Sequence, residues 1–201
     1  RKQRKQRDDD NMRLQLATAQ AAFALMLMQE GGAGIEMWLA DAQRNAAKVK
    51  SEALQAEANA LLAITTWYRS DIKAATKAAI ESMAAGKSNR EPDGWLAANY
   101  LDVLLQLTAQ TAFGRAQGDG TSSLSREVAR TNIVMELLRK NDVGDERGML
   151  AGISLLEFAG LRAQAQSRLE QLVERFPGSI TAHDRWRTRL MVDLGAERMR
   201  H

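Results

Sequence analysis

The chain contains no cysteine, only 2 prolines and only 2 histidines. Without cysteine there is no disulfide and no thiolate metal site. Two histidines, His183 and His201, argue against a histidine-based metal centre. Runs of alternating Val, Ile, Thr and aromatic residues are absent, so no sheet is expected. No long hydrophobic run occurs either. Leu16 to Met28 is the most apolar stretch, 13 residues interrupted by Thr18 and Gln20, too short to span a bilayer. It resembles the apolar core of a signal peptide only loosely, because Asp8, Asp9 and Asp10 precede it where a basic segment is usual. Motifs that carry chemistry are missing as well: no Gly-x-Ser-x-Gly, no His-Glu-x-x-His, no phosphate loop and no Glu-x-x-His pair. The sequence therefore points to no catalytic residue, no cofactor and no metal ligand, and a non-enzymatic protein is expected.

What is present is helix-forming. Ala, Leu, Gln, Arg and Glu dominate the long segments, and these residues lose little rotamer freedom in a helix. The 201 residues, 45% hydrophobic and 26% charged, suffice for a packed core. Net charge is +3, of which residues 1–10 supply +2, so the body is nearly neutral and lacks the basic field of a nucleic-acid binder. The first residue is Arg rather than Met, so the sequence reads as a processed chain or a piece of a longer one. Arg1, Lys2, Arg4, Lys5 and Arg7 form a basic cluster. It is either a solvated end, or the start of a helix, or a juxtamembrane cluster facing a membrane surface. No aromatics interleave these charges, which disfavours nucleic acid.

Residues 1–10 read as a tail, residues 11–92 as an N-terminal helical region and residues 93–201 as a region of helical hairpins. A helix over 11–30 should end at Gly31-Gly32-Ala33-Gly34, an interhelix turn. From Ile35 to Ala85 there is neither Gly nor Pro. This predicts a long Ala-rich helix, with a fresh start available at Ser70-Asp71. Along it Leu39, Ala42, Ala46, Val49, Ala53, Ala56, Ala60, Ala63 and Trp67 recur at alternating steps of three and four, which places them on one stripe. That stripe either packs inside the domain or docks a partner, and Leu39, Ala42, Ala46, Val49, Ala53 and Ala56 are candidate partner-binding residues. Met12, Met26, Met28, Met37 and Met83 are expected as pliable core or interface residues.

A loop containing Pro92 should precede a helix over about 95–113, with Leu96, Tyr100, Val103, Leu104 and Leu107 on one face. After a loop with Gly118-Asp119-Gly120, the next helix places Leu124, Val128, Thr131, Met135 and Leu138 at heptad spacing. Asp145 should cap the helix that follows.

Glu146 to Ser179 is the most specific stretch, 34 residues read as two helices with Gly160 at the bend and Pro177 at the end. Leu150, Ile153 and Leu156 should face inward from the first helix, while Gly148 and Gly152 give a smooth patch for a close neighbour. Leu161, Ala165, Leu169, Leu172, Val173 and Phe176 form the apolar side of the second. Thr181-x-x-Asp184 fits a capping box for a further helix with His183, Trp186, Leu190 and Leu194 on one face and Gly195 near its end. The arrangement resembles a tetratricopeptide repeat, carried by Gly160, Ala165, Leu169, Leu172 and Pro177, over roughly residues 146–199. Met149 and Gly152-Ile153 depart from the pattern, and the hairpin over 95–140 is too long for a 34-residue unit. The resemblance implies an α-solenoid whose concave surface holds a partner segment, with Arg168 and Arg187 as candidate contacts.

The expectation is an all-α protein of antiparallel hairpins, repeat-like at its C-terminal end. Its expected function is that of a non-catalytic scaffold or protein–protein interaction subunit, bound to other subunits or to itself. The alternative is a membrane-proximal domain whose basic end adjoins a transmembrane segment upstream of Arg1. A cytoplasmic or membrane-associated location follows from either.

Overall fold

The computed structural model describes residues 2–86, 94–116, 123–141, 144–180 and 183. All secondary structure among them is helical: eight α-helices and one 3-10 turn. They fall into two units, Arg1–Leu107 and Thr108–His201. The expected division at 92/93 moves because the first half of the fifth helix sends Leu96, Val103 and Leu107 into the core of the first unit.

In the first unit, α1 (Lys2–Gln29) turns at Gly31, where φ is +67°, and folds back along α2 (Ile35–Ala46). The expected tail over 1–10 is instead the start of α1, which is unbroken from Lys2 onward. The expected long helix over Ile35–Ala85 is corrected as well. It is three helices: α2, then α3 (Gln55–Tyr68) after a 3-10 turn at Glu52–Leu54, then α4 (Ile72–Gly86).

Both breaks have a physical cause. At the first, Asp10 on α1 accepts the backbone N–H groups of Lys50 (3.0 Å) and Ser51 (2.9 Å), which a continuous helix would have used itself. At the second, Ser70 takes a left-handed conformation with φ +61°. The Ser70 N–H then donates to the Trp67 carbonyl (2.8 Å) and the Asp71 N–H to the Thr66 carbonyl (2.9 Å), a Schellman closure. Asp71 Oδ1 accepts the Ala74 N–H at 3.0 Å and starts α4, as its sequence position predicts.

Small side chains decide how these helices meet. Ala56, Ala58, Ala60 and Ala63 of α3 and Ala75, Ala78 and Ala79 of α4 are buried, so the two backbones approach closely. The Ser82 hydroxyl donates to the Ala56 carbonyl (2.8 Å), and the Tyr100 hydroxyl, from α5 (Gly94–Ala116), donates to the Ala79 carbonyl (3.0 Å). Larger groups, Leu39, Leu61, Ile64 and Val103, fill the remaining space, each worth about 1.5–3 kcal/mol when fully buried. Arg69 joins the end of α3 to α2 through Glu36 (2.6 Å) and Gln43.

The second unit contains the end of α5, then α6 (Ser123–Asn141), α7 (Glu146–Phe158) and α8 (Arg162–Arg175). Asp145 caps α7 by accepting the Gly148 N–H at 2.7 Å, as expected. Gly160, at φ +80°, makes the bend into α8. Ile153 and Leu156 face inward against Ala165, Leu169 and Leu172. A Cβ on Gly152 would lie 2.9 Å from Leu138 Cδ2 of α6 and 3.0 Å from Arg168 Nε of α8, so this glycine marks the close approach that its spacing predicts. Ser179 donates to the Glu146 carboxylate and ties the end of the hairpin to its start. Phe113 stacks on Phe158 with centroids 6.4 Å apart, and the Arg130 guanidinium lies 5.2 Å from the Phe113 centroid.

Two expectations fail here. Val128 and Met135 of α6 are exposed, and the covered stripe runs through Val134 and Leu138. His183, expected as a packed core or a cap histidine, is not in the core: it is exposed, and its Nε2 donates to the Pro177 carbonyl at 2.8 Å. Pro92, Gly118-Asp119-Gly120, the Thr181–Asp184 box, Trp186, Arg187, Leu190, Leu194 and Gly195 lie outside the described residues.

Candidate functional site

The side chains expected to bind a partner are mostly inside. Leu39, Ala42, Ala46, Val49 and Ala56 are buried in the core of the first unit, and Ala53 alone of that set is exposed, on the 3-10 turn. The Ala-rich stripe is therefore internal packing, because α1, α3 and α4 already cover it. Arg168 is half-buried beside Gly152.

The titratable groups that depart from their ordinary behaviour serve the fold. Asp10 is 0% exposed. Burial alone would raise its pKa, but hydrogen bonds from the Lys50 N–H, Gln6, the Ser51 N–H and Arg13 together outweigh it and hold the carboxyl below its ordinary 3.8. Gln6 and Arg13 lie one turn either side on α1, at 3.1 and 3.0 Å, so the carboxylate is a fully used anchor between α1 and the 47–51 connection. Burial raises the pKa of Tyr100, and its hydrogen bond with Ser82 partly offsets this. Glu136 is lowered by its hydrogen bond and charge interaction with Lys140, one turn along α6. A shallow depression lined by Lys73, Thr76, Lys77, Ile80 and Glu81 belongs to a single face of α4. Among the described residues no group of three His, Asp or Glu is placed to hold a metal ion, and no helix is long and apolar enough to cross a membrane.

The surface that stands out is the outer side of α1. Its inward stripe is Leu14, Ala17, Ala21 and Ala24. Two residues further on lies a second stripe: Met12, Leu16, Ala19, Phe23 and Met26, at steps of four, three, four and three. Two positions on a helix differ by roughly 200°, so the stripes face opposite ways. The second is open to solvent, with Met12 66%, Leu16 52%, Phe23 39% and Met26 47% exposed. Phe23 is held in place by Trp38 of α2, which meets it edge to face at 5.1 Å and 81°. Polar Asn11, Gln15 and Gln29 are exposed beside the stripe. A row of large apolar groups on a rigid helix, rimmed by polar ones, is what a helix-packing surface requires.

This surface was only partly legible in the sequence. Met12, Met26, Met28, Met37 and Met83 were expected at a core or interface, and all five are exposed. The stripe itself was hidden in the 16–28 run, where two stripes overlap and the pattern reads as continuously apolar. Compared with family models, curated proteins and solved structures, the chain matches none.

Proposed function

We propose that this chain is a non-catalytic assembly subunit that packs against protein through the outer face of α1. The observation that carries this reading is the exposed stripe Met12, Leu16, Ala19, Phe23 and Met26. Four large side chains in a row on one helix, each 39–66% exposed, forgo about half of the roughly 1.5–3 kcal/mol that separates full exposure of such a group from full burial. Met and Phe are also the residue types enriched in interface cores. The α7–α8 hairpin supports the same class of job, because its resemblance to a tetratricopeptide repeat implies a surface that holds a partner segment.

A photo-activatable residue at Leu16, with a control at exposed Glu81 on α4, tests this in the native source. An adduct with protein at Leu16 and none at Glu81 is expected. No adduct at Leu16, or an adduct with lipid, contradicts the reading.

A further inference from the structure

We infer that Met12 and Met26 make the outer α1 face an oxidation switch, open to a protein partner as thioethers and closed to it as sulfoxides. The inference rests on the assembly reading above and adds the regulation of that same face.

The placement of sulfur carries it. The chain has 9 methionines and no cysteine, so thioethers are its only sulfur groups. Methionine is ordinarily among the most buried residue types. Here the order is inverted. Among the described residues Met12, Met26, Met28, Met37, Met83 and Met135 are 40–66% exposed, and Met149 alone is buried, at 5%. The inward positions of α1 are Leu14, Ala17, Ala21, Ala24 and Leu25, with no sulfur among them. An oxidant in the surrounding water therefore reaches sulfur on the surface, while the described core offers it only Met149. Oxidation changes the face and spares the fold.

Two of the exposed sulfurs stand in the outer stripe itself, Met12 at its start and Met26 at its end. A third, Met37, directly precedes Trp38, whose ring braces Phe23 of the stripe.

The reaction balances with a peroxide as the oxidant. The thioether sulfur attacks one oxygen of hydrogen peroxide, the O–O bond breaks, an S–O bond forms and water leaves. The sulfur loses two electrons and the peroxide gains them. The product is a polar, chiral sulfoxide, which methionine sulfoxide reductases convert back to the thioether. A sulfoxide oxygen pressed into an apolar contact gives up its water and gains no donor, so each one weakens the contact by roughly tenfold. A bound partner covers both sulfurs, so oxidation acts on the unassembled chain and blocks its entry into the complex.

The chain carrying the photo-activatable residue at position 16 is treated with dilute hydrogen peroxide, freed of it, and returned to an extract of the native source for irradiation. The protein adduct should fall at least about tenfold against untreated chain, and methionine sulfoxide reductase should restore it. Peptide mass spectrometry should find one added oxygen on Met12 and on Met26 and none on Met149, with helical content unchanged. The double variant Met12→Leu and Met26→Leu keeps an apolar face of similar volume without the sulfur, so its adduct should survive the same treatment. An adduct that survives with Met12 and Met26 oxidised overturns the inference, and so does an equal loss in the double variant. Sulfur at these two positions that stays reduced while Met149 is oxidised overturns it too. In each of those cases the adduct from untreated chain still upholds the assembly reading. Without a protein adduct from the untreated chain, both fall.

Discussion

Asp10 shows how one side chain sets the path of the chain around it. It accepts four hydrogen bonds while fully buried, and two of them come from backbone some forty residues away. Nothing local marks Ala47–Ser51 as a break, so the chain from Ile35 up to the Ser70-Asp71 signal reads as one helix in sequence. The interruption depends on an acceptor supplied by another element. Asp10→Ala should leave the Lys50 and Ser51 N–H groups without that acceptor and lower the melting temperature by several degrees. The pH dependence follows from the sign of the shift. The folded-state pKa lies below 3.8, so the charged form contributes stability above that value and the contribution is lost as pH falls through the folded pKa. Thermal melts from pH 6 to pH 3 should show a steeper acid loss for the native chain than for Asp10→Ala; parallel curves would show that Asp10 is not the anchor described. Ser70, by contrast, was legible as a boundary, because Ser-Asp is a local capping signal and Asp71 does cap α4.

At the level of elements, periodicity reports how many apolar stripes a helix has, and packing decides which one is covered. The Leu39–Trp67 stripe is a single stripe, and it is core at every position except Ala53, which is exposed, and Trp67, which is partly buried. Ala53 escapes because it sits in the 3-10 turn, where the angular step changes. Ala60→Leu should therefore overpack the α3–α4 contact and cost about 1–3 kcal/mol, whereas Ala53→Leu should stay within about 0.5 kcal/mol. Urea unfolding of the two variants separates these outcomes, and equal midpoints would contradict the packing. On α6 and α1 two stripes compete. For α6 the sequence favours Leu124, Val128, Thr131, Met135 and Leu138; Leu138 is covered as expected, but Val128 and Met135 are exposed and Val134 is covered in their place. On α1 both stripes are apolar and only one is used by the fold. The α7–α8 hairpin was legible almost to the residue, since its signals, an Asp cap, a Gly bend and a Pro stop, are all local.

For the whole molecule, the all-α class and the order of its hairpins follow from composition and punctuation, while the candidate surface emerges only once the inward stripe of α1 is known. The central claim is that the outward stripe is an interface. Photo-crosslinking from position 16 in the native source, with exposed Glu81 on α4 as the control position, tests it most directly. The account predicts a protein adduct at position 16 and none at position 81; no adduct at position 16, or an adduct with lipid, would contradict it.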